Sequence, residues 1–240
     1  MTGRQDEIRS DPSALRDVEW HLEQRMLQLI GDAFGPCEIL AEEYFNRVGR
    51  IIKGEGRLSL VLDPLDGSAS YLRGSATYAS TVAIRLDGRP IIGVIYEPAR
   101  RRLFSALAGH GAWENDRLLD RSVTTGPRVV VVKVQHLGRP SVARVVGRLE
   151  SSGYVVERME STSLKLCLLA MGSRHALVKW LAEENRVVQD WGTTAGLVVC
   201  AEAGLAPLDL DGAPWSGRGG GMMVCDVPCL RDLDLVSRHS

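Results

Sequence analysis

Leu58-Ser59-Leu60-Val61-Leu62-Asp63-Pro64-Leu65-Asp66-Gly67-Ser68 is the stretch on which the reading of this chain turns. Its first half is an apolar run of strand length, the pattern of a buried β-strand. Its second half ends that strand with two carboxylates three residues apart around a proline, followed by a glycine and a hydroxyl. Asp, Pro and Gly all favour turns, so Asp63-Pro64-Leu65-Asp66-Gly67 taken alone is an ordinary loop. Upstream, a second apolar stretch, Ile39-Leu40-Ala41, runs into another acidic pair, Glu42-Glu43. Carboxylates exposed at strand ends supply the oxygen ligands that a hard cation such as Mg2+ prefers. The Gly67-Ser68 step offers backbone N–H groups and a hydroxyl where a phosphate can dock.

Outward from this stretch the chain reads as two halves. Leu15, Val18, Leu22, Met26 and Ile30 recur at helical spacing behind Asp11-Pro12, which predicts a helix over 12–33 ended by Gly35-Pro36. Strands follow at 37–41, 58–63 and 79–86. Asp87-Gly88 marks a hairpin into a strand over 90–96, and 103–106 and 112–115 continue the meander. Near Thr124-Thr125-Gly126-Pro127 the rhythm changes. Strands at 129–132, 154–156, 175–180 and around 206–210 alternate with helices over 140–152, 161–171 and 193–203, an α/β pattern with a buried sheet. The expected organisation is an α+β half over 1–125 with the acidic motifs, and an α/β half over 126–240 with substrate-side elements.

The 240 residues are 45% hydrophobic, enough for one large domain or two modest ones, and carry a net charge of −1. That balance gives no general attraction to nucleic acid or to an acidic membrane. The N-terminus, Met1-Thr2-Gly3-Arg4-Gln5-Asp6-Glu7, does not read as a signal peptide. No run approaches the ~18 apolar residues of a membrane span. Five scattered cysteines lack zinc-site spacing, and Cys167 and Cys200 read as reduced core residues. A cytoplasmic protein is expected.

Three motifs in order carry a resemblance over nearly the whole chain. Ala41-Glu42-Glu43, then Asp63-Pro64-Leu65-Asp66-Gly67-Ser68, then Trp191-Gly192-Thr193-Thr194-Ala195-Gly196 with Glu202-Ala203-Gly204 resemble the inositol monophosphatase superfamily. Its members include fructose-1,6-bisphosphatases and 3′-phosphoadenosine 5′-phosphate phosphatases, and Ser161-Thr162-Ser163-Leu164-Lys165-Leu166-Cys167 resembles the latter branch more than the inositol branch. The resemblance implies a layered αβαβα sandwich and a Mg2+-dependent phosphomonoesterase acting on a small phosphorylated alcohol, working as a homodimer. It places a first cation on Glu42, Asp63 and the Leu65 carbonyl, and a second on Asp63 and Asp66. Ser68, where the family usually has threonine, is expected to position the attacking water. Asp17 stands where the family carries an aspartate linked to that hydroxyl, although alone it reads equally as an exposed helix residue. Gly67 and Ser68 would hold the phosphate.

The chain also departs from the pattern. Gly192 follows Trp191 where the family has the aspartate that completes the second metal site; Asp190 is the candidate replacement, although neighbouring strand residues face opposite ways. The usual N-terminal helix is largely absent, and 175–189 is longer than usual. Lys165 and Lys179 are candidate phosphate or substrate ligands, each set against a plain solvated lysine. His175 is a weaker candidate near the mouth. The alternative is a divergent, non-catalytic or repurposed member that binds a phosphorylated ligand or a partner.

Overall fold

The structure, a computed structural model, describes residues 12–121, 126–180, 191–217 and 220–235. Helix α1 (Pro12–Phe34) leads into β1 (Glu38–Ala41), α2 (Glu42–Val48), β2 (Leu58–Asp66) and the single turn α3 (Ser68–Leu72). β3 (Ala79–Leu86), β4 (Arg89–Glu97), β5 (Arg102–Leu107), β6 (Ala112–Glu114) and β7 (Arg117–Leu118) complete a seven-stranded sheet in strict sequence order. Only β1 and β2 are parallel. The second sheet has the order β11-β12-β10-β8-β9 and is built from β8 (Val129–Val132), β9 (Val155–Arg158), β10 (Ala176–Lys179), β11 (Pro207–Leu208) and β12 (Met222–Cys225). Its helices are α4 (Pro140–Ser151), α5 (Thr162–Ala170), α6 (Trp191–Glu202) and α7 (Val227–Asp232).

These elements stack as the expected αβαβα sandwich. α1 packs on β2 from outside, α5 and α6 fill the space between the sheets, and α4 lies on the far side against β9 and β10. The central layer explains the composition of α5 and α6. Both are apolar nearly all round and buried along almost their whole length, as helices enclosed between two sheets must be. Contact there is tight: a Cβ on Gly93 of β4 would lie 2.3 Å from the Ala195 carbonyl of α6, so only glycine fits. α4, by contrast, is amphipathic, burying Val142, Val145, Val146 and Leu149 and ending before Gly153 at φ +85°.

Helix α2, strand β12 and helix α7 are absent from the sequence expectation. α2 is only seven residues long, too short to show a clear helical period. The stripe read for α1 is rotated in the structure: Leu22 is exposed, and the buried line runs through Leu15, Glu19, Glu23 and Ile30. All five cysteines are buried and free.

Candidate active site

The acidic cluster arises from strand pairing. Asp63 pairs with Thr81 and Asp66 with Ala79, so three residue steps on β2 oppose two on β3. Residues i and i+3 of a regular strand face opposite sides; one extra residue, a β-bulge, restores them to the same side. Pro64, which cannot donate to a ladder, sits in this bulge, and its carbonyl accepts a hydrogen bond from Ser80 Oγ at 2.7 Å. The Leu65 N–H donates to Asp63 Oδ1 at 3.0 Å. Parallel pairing of Ala41 with Leu62 then sets Glu42, the first residue of α2, beside Asp63. The Glu42 and Asp63 carboxyls are near enough to shift one another's pKa. Gly67 follows at φ +100°; a Cβ there would meet the Thr77 carbonyl at 2.8 Å.

Glu42, Asp63, Leu65, Asp66, Gly67 and Ser68 line one wall of a cavity of about 410 Å³. Lys133, His136, Glu160, Lys179, Trp180, Trp191 and Gly192 line the rest. Burial, followed by the neighbouring acids Glu43, Asp66 and Glu19, pushes the Glu42 carboxyl up to about 8. Asp63 is raised well above the usual carboxylate range, first by burial and then by Glu42 and Asp66. Among the described residues no basic side chain pairs with either. Two desolvated carboxylates and a carbonyl with no internal counter-charge are a hard-oxygen donor set, which suits one Mg2+ completed by water. Among the described residues no three His, Cys, Asp or Glu side chains are arranged to hold a metal ion.

Asp66 shares the cavity but is otherwise engaged. Its Oδ2 accepts Ser161 Oγ at 2.7 Å, the Ser163 N–H at 2.6 Å and Ser163 Oγ at 2.5 Å, while Oδ1 accepts the Thr162 N–H at 3.1 Å. The carboxylate therefore caps α5, whose N-terminal N–H groups and dipole favour an anion.

The hydrogen bond expected between Asp17 and Ser68 comes instead from Glu19. Ser68 Oγ lies 2.5 Å from Glu19 Oε1 and 3.0 Å from the Leu65 carbonyl. Asp17 is two positions away on α1, its side chain 71% exposed, paired with Arg47 at 3.4 Å. A helix turns about 200° in two residues, so residues 17 and 19 cannot share a face. Burial raises the Glu19 carboxyl, with the Ser68 hydrogen bond opposing. One turn on, Glu23 accepts the N–H groups of Glu43 (2.7 Å) and Tyr44 (2.6 Å). It supplies the cap that Ala41 cannot and anchors the turn carrying Glu42. Burial pushes Glu23 up to about 7.

Lys179 lines the cavity, its Nζ 2.7 Å from Thr193 Oγ1. Lys165 is buried in α5 and donates to the Met159 carbonyl at 3.1 Å, so it is not among the lining side chains. Burial pushes its ammonium down to about 7, with Asp66 the largest opposing influence. His175 is also buried away from the cavity, accepting the Val129 N–H at 3.1 Å. Asp190 lies outside the described residues. Sequence reading missed Glu160, a buried acid whose Oε1 meets Arg73 at 3.4 Å. Its Oε2 has no hydrogen-bond partner and stands 3.8 Å from Lys133 Nζ. It also missed His136, which accepts the Trp180 N–H and is pushed down to about 4, first by burial and then by Lys165 and Lys179.

Fold and cavity together define a layered α/β protein with an acidic pocket at a bulged strand end. A family model described as the inositol monophosphatase family matches residues 4–232, and the chain belongs to that family. It is 27% identical over 217 residues to the Nus factor SuhB of Pasteurella multocida, covering 87% of this chain and 76% of that one. It is 29% identical over 235 residues to the inositol-1-monophosphatase of Mycobacterium leprae, covering 93% and 76%. The solved inositol monophosphatase of Anabaena superposes with a TM-score of 0.75 at 22% identity, covering 98% of this chain and 94% of that one.

Proposed function

We propose that this protein is a magnesium-dependent phosphomonoesterase that hydrolyses a small, hydroxylated phosphate ester with water. The observation that carries the reading is the convergence of Glu42 and Asp63 in one cavity, with no basic partner among the described residues, beside Ser68 and its hydrogen bond to Glu19. A Mg2+ held by Glu42, Asp63 and the Leu65 carbonyl would supply a water of lowered pKa and offset charge on the phosphate oxygens.

Ser68 has one proton for two acceptors, Glu19 and the Leu65 carbonyl. With Glu19 ionised, the shorter contact takes it, leaving a lone pair of Oγ for a proton of the attacking water. Glu19 then takes up the Ser68 proton, and its raised pKa brings it nearer to the range of an effective general base. Gly67 and Ser68 border the space where the phosphate would sit. Lys133 and Lys179 face it with positive charge across the cavity. Oε2 of Glu160 faces Lys133 at 3.8 Å but accepts no hydrogen bond, which favours a substrate that brings a hydroxyl donor.

Phosphate release over a panel of phosphomonoesters, with and without Mg2+, tests the reading. Metal-dependent release that falls ~100-fold or more in Ser68→Ala is expected. Ligand binding without release would instead identify a non-catalytic member. Substrate loss without matching phosphate would identify a repurposed one.

A further inference from the structure

We infer that this chain holds one divalent cation rather than two, and that Asp66 serves as the cap of helix α5 and not as a metal ligand. The inference rests on the metal-dependent reading above and concerns how many cations that site takes. A carboxylate offers about four lone-pair positions. Asp66 meets four donors: the hydroxyls of Ser161 and Ser163 and the N–H groups of Thr162 and Ser163. All lie within 3.1 Å, and three converge on Oδ2. The hydroxyls are themselves fixed, because Ser161 Oγ also accepts the Leu164 N–H at 3.2 Å as the N-cap of α5. Oδ2 of Asp66 is thus filled by one helix terminus, and Oδ1 already serves the same terminus through the Thr162 N–H.

The other side of the second-cation position is closed differently. Gly192, second residue of α6, presents backbone where the family's aspartate would stand. A Cβ built there lies 3.1 Å from Asp63 Oδ2 and 3.4 Å from Asp66 Oδ1. The Trp191 carbonyl is held by Thr81 Oγ1 at 3.2 Å, and Thr81 is the strand partner of Asp63, so the start of α6 is pinned at this distance. Among the described residues a second cation would have Asp63 to share and at most one position on Asp66 Oδ1, because Asp66 Oδ2 is committed to α5 and position 192 has no side chain. The α5 terminus, with its N–H groups aimed at Asp66, is itself a site that favours an anion.

Bound Mn2+, an EPR-visible substitute for Mg2+, is counted by equilibrium dialysis on the full chain and on Asp63→Asn, Asp66→Asn and Asp190→Asn. We expect one Mn2+ per wild-type chain and its loss, or at least 30-fold weaker binding, in Asp63→Asn. Asp66→Asn should keep that Mn2+ with a Kd within about threefold, while its Tm drops by ~5 °C or more. Two Mn2+ per wild-type chain, the second lost in Asp66→Asn or Asp190→Asn, would overturn the one-cation inference and leave the phosphatase reading standing. No bound Mn2+, together with phosphate release indifferent to Mg2+, would overturn that reading itself. If Asp66→Asn does not fold, the wild-type count decides.

Discussion

Replacing Glu23 by alanine should destabilise the protein, and more at pH 5 than at pH 8.5. Glu23 is fully buried and its two oxygens take the N–H groups of Glu43 and Tyr44, which have no other partner at the start of α2. Removing the carboxyl orphans two buried donors, a loss of roughly 2–6 kcal/mol for the pair. The ionised acid is itself disfavoured in the fold, since its pKa moves from 4.5 to about 7. That displacement is worth on the order of 3 kcal/mol. Because the folded-state pKa is raised, the folded chain binds more protons than the unfolded one between those values. Wild-type stability from this group is therefore complete below pH 4.5 and declines as pH rises to 7. The alanine variant has no such decline, so the gap between the two proteins narrows with pH by up to about 3 kcal/mol. At ~2–4 °C per kcal/mol for a chain of this size, the Tm deficit should shrink by several degrees between pH 5 and pH 8.5. Thermal unfolding in EDTA at the two pH values measures it; carboxylates common to both proteins cancel in the difference. A deficit that is constant or grows with pH would refute the argument that Glu23 is a desolvated acceptor. The same variant should weaken Mg2+ binding by about tenfold, because the turn that presents Glu42 loses its anchor.

Other consequences are equally direct. Phosphate release should fall on the acid side of the pH–rate profile as Glu19 takes up a proton at its raised pKa, and Glu19→Gln should remove that limb while lowering kcat by ~100-fold or more. Glu160→Ala should raise KM for hydroxylated phosphate esters by ~10-fold with a smaller change in kcat, and leave KM for a phosphate ester without hydroxyls nearly unchanged. Gly192→Asp sets another carboxylate against Asp63 and Asp66, so in EDTA at pH 8 its Tm should drop below wild type by a few degrees, and saturating Mg2+ should recover most of the loss.

Much of the architecture was open to local reading. Apolar runs of four to nine residues separated by Gly, Pro and Asp mark β2, β3, β4 and β8, and their period depends only on neighbours along the chain. The paired acidic motifs could be recognised for the same reason. α1 was also located within a residue of its observed end, yet its buried face was misassigned. Glu19 and Glu23 follow Leu15 at four-residue steps, but apolar Val18 and Leu22 point the sequence stripe to another face, and the structure puts Glu19 rather than Asp17 against Ser68. Glu160 and His136 carried no local signal, since each acquires its place from the packing around the cavity.

From the residues alone came the strand and helix succession, the family, and the candidates Glu42, Asp63 and Ser68, which the structure places along one cavity. Where those groups point was settled by contacts between distant segments. The bulge that turns Asp63 and Asp66 to one side exists because β2 pairs with β3 in that register. The fate of Asp66 was set by serines 95 and 97 residues further on. Side-chain chemistry is written residue by residue, whereas direction and hydrogen-bond occupancy belong to the assembled layers: the Asp66 carboxylate, read from the sequence as a ligand, meets the start of a helix in the structure.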